Sequence, residues 1–211
     1  SPSANVTKFY KRVTKLKNGA QIAGKRAQKF EDEVAYLQEQ EYNIAFATTL
    51  DDLGEAQDSL LRYGYIEEQK GQKKRVQKDP LASPHEFRSS NGLLILAGRS
   101  SRQNDALTLR VAGDEDVFFH AQNMPGSHVI LFTRGNPPQE QDLFEAASVA
   151  ALHSKGRNAG KVSIDYTKKK HVWKPSGARL GMVLYDHQKT LVVAPDRALI
   201  ETLREAKKDE D

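Results

Sequence analysis

From Phe9 the apolar positions advance by steps of four and three through Val13, Leu16, Ala20, Ala23, Ala27, Phe30, Val34 and Leu37, pass a polar Glu41 and reach Ile44. An average step of 3.5 residues is a coiled-coil seam, because on a straight helix of 3.6 residues per turn the stripe would drift off one face. About 38 helical residues would reach roughly 57 Å. Ala20, Ala23 and Ala27 leave room for a second helix to approach closely, so the expectation is an antiparallel hairpin whose other arm lies outside these residues or elsewhere in the assembly. Gly19 and Gly24 each cost such a helix about 1 kcal/mol relative to alanine and are candidates for a flexible point.

A second helix is expected over 51–62, capped by Thr48 or Thr49, ended by Gly64, and burying Leu50, Leu53, Leu60 and Leu61. A polar segment with Lys73-Lys74-Arg75 at its centre and Pro80 and Pro84 near its end reads as a basic linker. After Phe87 the period changes. Short apolar runs separated by turns predict strands at 92–97, 117–121, 127–132, 161–166, 170–174, 181–186 and 190–194. Helices are expected from a Ser101 cap with Leu107 and Val111 facing inward, after Pro137-Pro138 through Ala150 to about Ser154, and over 196–207. The fold class is therefore α+β: a long coiled-coil arm followed by a mixed or antiparallel sheet with helices. The domain reading is 1–66 for the arm and middle helices, 67–85 for the linker and 86–211 for the α+β domain.

Composition adjusts this picture at a few points. No apolar run exceeds about five residues, against the roughly 20 that a bilayer crossing needs, so no membrane partner is expected. The chain has no cysteine, which removes disulfides and thiolate metal sites and fits a cytoplasmic setting. A formal charge of +4, from 32 basic and 28 acidic residues, is too mild to argue for nucleic acid by itself, so any such argument rests on local clusters. The opening Ser1-Pro2-Ser3, without an initiator methionine, reads as part of a longer protein.

Candidate chemistry concentrates between Gly98 and Phe132, where turn residues, amides and two histidines adjoin apolar runs. Gln103 and Asn104 offer both donors and acceptors for phosphates, sugars or base edges, or can satisfy backbone amides at a helix start. Arg99 and Arg102 flank the same turn with forks suited to phosphate. His120 and His128 could meet on one patch with Asp105, which keeps open an RNA-processing enzyme using the three, although the spacings of a metal site are missing. Pro125-Gly126-Ser127 reads as a tight turn in which Gly126 takes positive φ and lets an RNA backbone approach. The hairpin-like 165–174 segment interleaves Lys168, Lys169, Lys170 and Lys174 with Tyr166 and Trp173, and is the best electrostatic footprint for RNA, since cations neutralise phosphates while aromatic rings stack on bases.

The ordered blocks GRSSRQND, FFHA, PGSHVIL, EAASVAALHS, KVSIDYT and KPSGARLGMVLY resemble the NFACT-R RNA-binding domain, and SPSANVTKFYKRVTKLKNG with EVAYLQEQ resembles the coiled-coil and middle region of the same RqcH and NEMF family, older labelled fibronectin-binding. The family pattern has tryptophan where Phe118 stands, a basic residue at Trp173 and proline at Leu180; Trp173 exchanges a charge for a stacking surface. The family's Asp-Arg pair, carried by its NFACT-N domain, has no match in these residues. The resemblance implies a ribosome quality-control factor that binds a large ribosomal subunit obstructed by peptidyl-tRNA and recruits charged tRNA, alanyl-tRNA in bacteria, for untemplated C-terminal tailing. It implies a binding module with no catalytic residue, metal or cofactor of its own, partnered by tRNA, the large subunit, a second coiled-coil helix and the NFACT-N domain. The RNA-contact set expected here is Arg99, Arg102, Gln103, Asn104, Asp105, His120, Gly126, Ser127, His128, Tyr166, Lys168, Lys169, Lys170, Trp173 and Lys174. The older label keeps a fibronectin-binding surface adhesin as a further alternative.

Overall fold

The structure is a computed structural model that describes residues 2–67 and 84–205. The Lys73-Lys74-Arg75 cluster of the expected linker lies outside the described residues, as does the charged tail. Among the described residues no helix is long and apolar enough to cross a membrane. The chain divides into two units, residues 1–38 and 39–211.

Helix α1, Pro2–Ala45, runs unbroken through Gly19 and Gly24, so neither glycine interrupts it. Its seam residues Phe9, Leu16, Phe30 and Val34 are all exposed, as an uncovered coiled-coil stripe should be. Residues of α1 from Glu39 onward belong to the second unit, together with α2, Leu50–Arg62. Thr49 caps α2 and forms a reciprocal capping box with Asp52. After the helix Gly64 adopts φ 76, allowing Tyr65 N–H to reach back to the Leu60 carbonyl at 2.9 Å. The face that α2 buries differs from the expected one: Ala56 and Ser59 are covered, whereas Leu50 and Leu53 stay exposed. Asp52 and Glu55, one turn apart on the covered face, are bonded to Arg99 and Ser100, and these polar contacts fix the helix's rotation.

The main sheet is built from β1 His85–Arg88, β2 Leu94–Ala97, β3 Val117–Ala121, β4 Val129–Phe132, β5 Val162–Lys168 and β8 Lys189–Val193, while the two-residue β6 Val172–Trp173 and β7 Leu184–Tyr185 pair in a separate small sheet. The main sheet is antiparallel throughout, in the order β1-β2-β4-β3-β5-β8. Strand β1 was not signalled by the apolar pattern, because HEFR carries one apolar residue, Phe87, and starts at the end of the expected linker. The pleat sorts β3 and β4 by parity. Val117, Phe119, Val129 and Leu131 enter the larger core beneath helix α4, Glu140–Leu152, while Phe118 and Ile130 enter a smaller one with Leu107 and Val172. Because both faces are covered, these strands read as continuous apolar runs rather than as alternation. Ala146, Ala147, Ala150 and Ala151 are buried and let α4 lie close on the sheet. Helix α5, Arg197–Glu205, is started by Asp196, whose carboxylate accepts the Ala198 N–H at 2.9 Å.

On the smaller face, α3, Ser101–Ala106, is capped by Ser100 rather than Ser101, and passes into a π-helical turn over Leu107–Val111. Ser101 instead serves tertiary contacts: its hydroxyl donates to Glu39 at 2.8 Å and accepts from the Asn43 and Gln40 amides. The 165–174 segment is not a hairpin. A single 3-10 turn, Lys169–His171, carries the chain from β5 in the large sheet to β6 in the small one, and β6 pairs with β7.

Candidate nucleic-acid interface

The lysine turn is clamped by the loop before β3. Lys169 N–H donates to the Asp116 carbonyl at 2.8 Å and Lys170 N–H to that of Asp114 at 3.2 Å. The ammonium groups follow: Lys168 and Lys170 both reach Glu115, at 2.7 and 2.8 Å, and Lys169 lies 3.6 Å from Asp114. The two lysine hydrogen bonds hold the exposed Glu115 carboxyl down at about 2, so it is ionised at any physiological pH. Three cations therefore face two anions here. Trp173, 45% exposed, stands just beyond the turn, whereas Tyr166 is turned to the larger core and stacks on Phe119 at 5.6 Å. Lys174 pairs with Asp105, whose second oxygen accepts the Gly181 N–H at 3.0 Å.

The residues expected at the Arg99-to-Asp105 turn are mostly committed to the protein. Gln103 is buried and its side-chain oxygen accepts the Arg99 N–H at 2.8 Å. Asn104 is buried and accepts the His128 N–H at 3.0 Å. Removing that acceptor would leave a buried amide unsatisfied, at a cost of about 1–3 kcal/mol. Gly98 makes room for it, since a Cβ there would collide with the Asn104 Oδ1. Arg99 donates from one nitrogen to Thr48 at 2.6 Å and Asp52 at 2.7 Å. Burial alone would raise the Asp52 carboxyl, but the Thr48 backbone, Arg99 and Thr49 bonds outweigh it and lower it. Arg102 is partly exposed. Ser127 is buried with its hydroxyl on the Gly98 carbonyl. Gly126 does not take positive φ, which falls instead to Asn123; the glycine is needed because a Cβ would press on Ser154 Cβ at 3.1 Å and the His153 carbonyl at 3.2 Å.

His120 and His128 do meet, edge to face with ring centroids 5.6 Å apart, across the antiparallel pairing of β3 and β4. His128 is fully enclosed, its Nδ1 2.8 Å from the Thr108 hydroxyl. Burial, reinforced by His120, pushes it down to about 3, and burial lowers His120 as well. Both imidazoles are thus neutral near pH 7, and the ring of Phe118 packs against each.

Two groupings had no linear signal. His171, Asp186 and His187 bring three potential metal-ligand atoms within 4.8 Å of one another, through residues joined by the β6–β7 pairing. Behind Arg99, residues from seven elements or their ends, among them His85, His153, Arg157 and Arg204, line a cavity of about 350 Å³.

Residues 83–185 match the family described as NFACT protein RNA binding domain, and residues 1–79 that described as NFACT N-terminal and middle domains. The Rqc2 homolog RqcH of Bacillus subtilis (strain 168) is 36% identical over 98% of this chain, and the protein of the same name from Streptococcus pneumoniae serotype 2 is 31% identical over 98%. This chain spans 36% of the length of each. A solved structure of the C-terminal of the fibronectin/fibrinogen-binding protein from Streptococcus suis superposes with a TM-score of 0.83 at 28% identity, covering 93% of this chain and 78% of that one.

Proposed function

The chain belongs to the NFACT family, and from that membership we propose that it is the tRNA- and ribosome-binding part of a cytoplasmic ribosome quality-control factor. In this reading it holds charged tRNA, alanyl-tRNA in a bacterial setting, on a large subunit carrying peptidyl-tRNA, for untemplated C-terminal tailing. Peptide transfer is ribosomal chemistry, and this chain contributes binding alone. The match of residues 83–185 to an RNA-binding domain carries the proposal. The lysine turn with Trp173 at its edge supports it, because exposed cations and a free ring face suit phosphates and unstacked bases. The uncovered seam of α1 would pair with a second helix of a longer protein, and a rigid arm joining two weak contacts raises their effective concentration.

Titrating tRNA against the full chain at several salt concentrations tests this. Replacing Lys168, Lys169 and Lys170 by alanine is expected to reduce the salt slope by nearly one unit for each phosphate no longer neutralised; an unchanged slope removes the lysine turn from the interface. A second reading, adhesion to fibronectin, rests on the likeness to the Streptococcus suis fibronectin/fibrinogen-binding protein. Retention of the chain on immobilised fibronectin at physiological salt, with no affinity for tRNA, would favour it. An RNA-processing role would require turnover that disappears on replacing His120 or His128.

A further inference from the structure

The cavity behind Arg99 is lined from the end of α1, the start of α2, β1, the end of β2, the approach to β4, the end of α4 and α5. Its volume of about 350 Å³ falls at the small end of the ~300–1,000 Å³ typical of ligand pockets. Four arginines, Arg99, Arg157, Arg197 and Arg204, line it against two carboxylates, Asp52 and Glu201. Asp52 is already used by Arg99. Among the described residues Arg157, Arg197 and Arg204 form no ion pair; Arg157 lies over the Phe46 ring at 3.7 Å and Arg204 over Phe87 at 5.2 Å.

Three buried nitrogens on residues of this lining, Arg99 Nε, Arg157 Nε and His153 Nε2, have no hydrogen-bond partner among the described residues. Buried polar nitrogens are rarely left so, and three of them on residues that line one cavity fit an acceptor with several oxygens. Guanidinium forks approaching from separate elements fit a phosphate better than a single carboxylate, since phosphate offers oxygens in more directions. Four rings also line it, Tyr42, Phe46, His85 and His153, with the two imidazole centroids 4.6 Å apart. Burial, with a smaller contribution from nearby arginines, pushes His85 down to about 4, and burial, then His85 and the arginines, pushes His153 down to about 3.

We propose that this arginine-lined cavity is a nucleotide site, in which Arg157, Arg204 and the unpartnered nitrogens of Arg99 and His153 hold a phosphate while the aromatic rings receive the attached base. The phosphate of a free mononucleotide and that of a nucleotide exposed on an RNA strand share this chemistry. The site goes beyond the proposed tRNA contact at the lysine turn, shares no residue with it, and does not require it.

Calorimetry of the full chain with adenosine monophosphate, beside adenosine and inorganic phosphate alone, reads the proposal. Adenosine monophosphate is expected to bind more tightly than either part. Arg157→Ala or Arg204→Gln should weaken it tenfold or more, which is about 1.4 kcal/mol and the scale of one charge-assisted hydrogen bond. Arg157→Lys retains the charge and covers the case in which the alanine variant does not fold. In the unaltered chain the His85 and His153 ring-proton resonances should move on addition of the nucleotide. A single-stranded RNA oligomer that displaces the mononucleotide identifies RNA as the source, and one that does not identifies a free nucleotide. Absence of binding, unmoved histidine resonances, or full affinity in a folded Arg204→Gln variant overturns the site.

Discussion

Two cationic regions of this molecule invert the impression their sequences give. The lysine turn is the densest run of positive charge among the described residues, yet Lys168, Lys169 and Lys170 face Glu115 and Asp114. The arginine cavity is scattered over the chain from Arg99 to Arg204 and shows no run at all, yet three of its four guanidinium groups lack a carboxylate partner among the described residues. Charge available to a ligand is what remains after folding has paired what it can. A local count of lysines measures something else.

The largest expected effect falls on the cavity. The double variant Arg157→Ala, Arg204→Ala should reduce nucleotide affinity by well over tenfold, measured by calorimetry, with tRNA affinity changed far less if the two regions act separately. Equal losses for both ligands would merge them into one surface. Next comes the triple lysine variant, whose salt slope for tRNA should fall by up to about three units, with nucleotide binding at the cavity unchanged. A smaller effect, opposite in sign, is expected from Glu115→Gln. By releasing Lys168 and Lys170 it should tighten tRNA binding and steepen its salt dependence, and weaker binding would mean that Glu115 positions the lysines instead of competing for them.

The smallest effect is a pH response of the cavity. His85 and His153 are held near 4 and 3, below the ordinary 6.5, so between these values the unfolded chain binds protons that the folded chain refuses. Their contribution to stability is complete above about pH 6.5 and is lost as pH falls toward 4. The melting temperature of the unliganded chain should therefore fall from pH 7.5 to pH 5, and by less in a folded His85→Phe variant, which has one such ring fewer. An equal fall in both would contradict the burial of His85 as a neutral ring.

Much of the fold was legible because its signals are local. The four-and-three stepping from Phe9 to Ile44 marked α1, Thr49 and Gly64 bracketed α2, and the apolar runs at 117–121 and 129–132 located the two central strands. What was not legible depends on pairing between distant residues. Strand β1 carries only Phe87 as an apolar signal and exists because it pairs with β2. The rotation of α2 follows from the Arg99–Asp52 bond, 47 positions apart, which no periodicity records.

The same division runs through the candidate site. Lysines and a tryptophan in sequence were visible, but the Glu115 that holds two of the lysines comes from the loop before β3. Asn104 and His128 were visible as polar residues near turns, and only their burial and mutual bond show them building the scaffold. A lone histidine and arginine after a helix, His153 and Arg157 carry no motif, and their unpartnered nitrogens become informative only once the cavity is formed.

Trp173 is the sole tryptophan of the chain and stands half-exposed beside the lysine turn, so its fluorescence reports that surface without labelling. If the domain grips tRNA there, titration with tRNA should quench the emission along the same curve as an independent binding measurement, and added salt should reverse both together. Binding of tRNA that leaves Trp173 emission unchanged would contradict the assignment of the RNA surface to this turn.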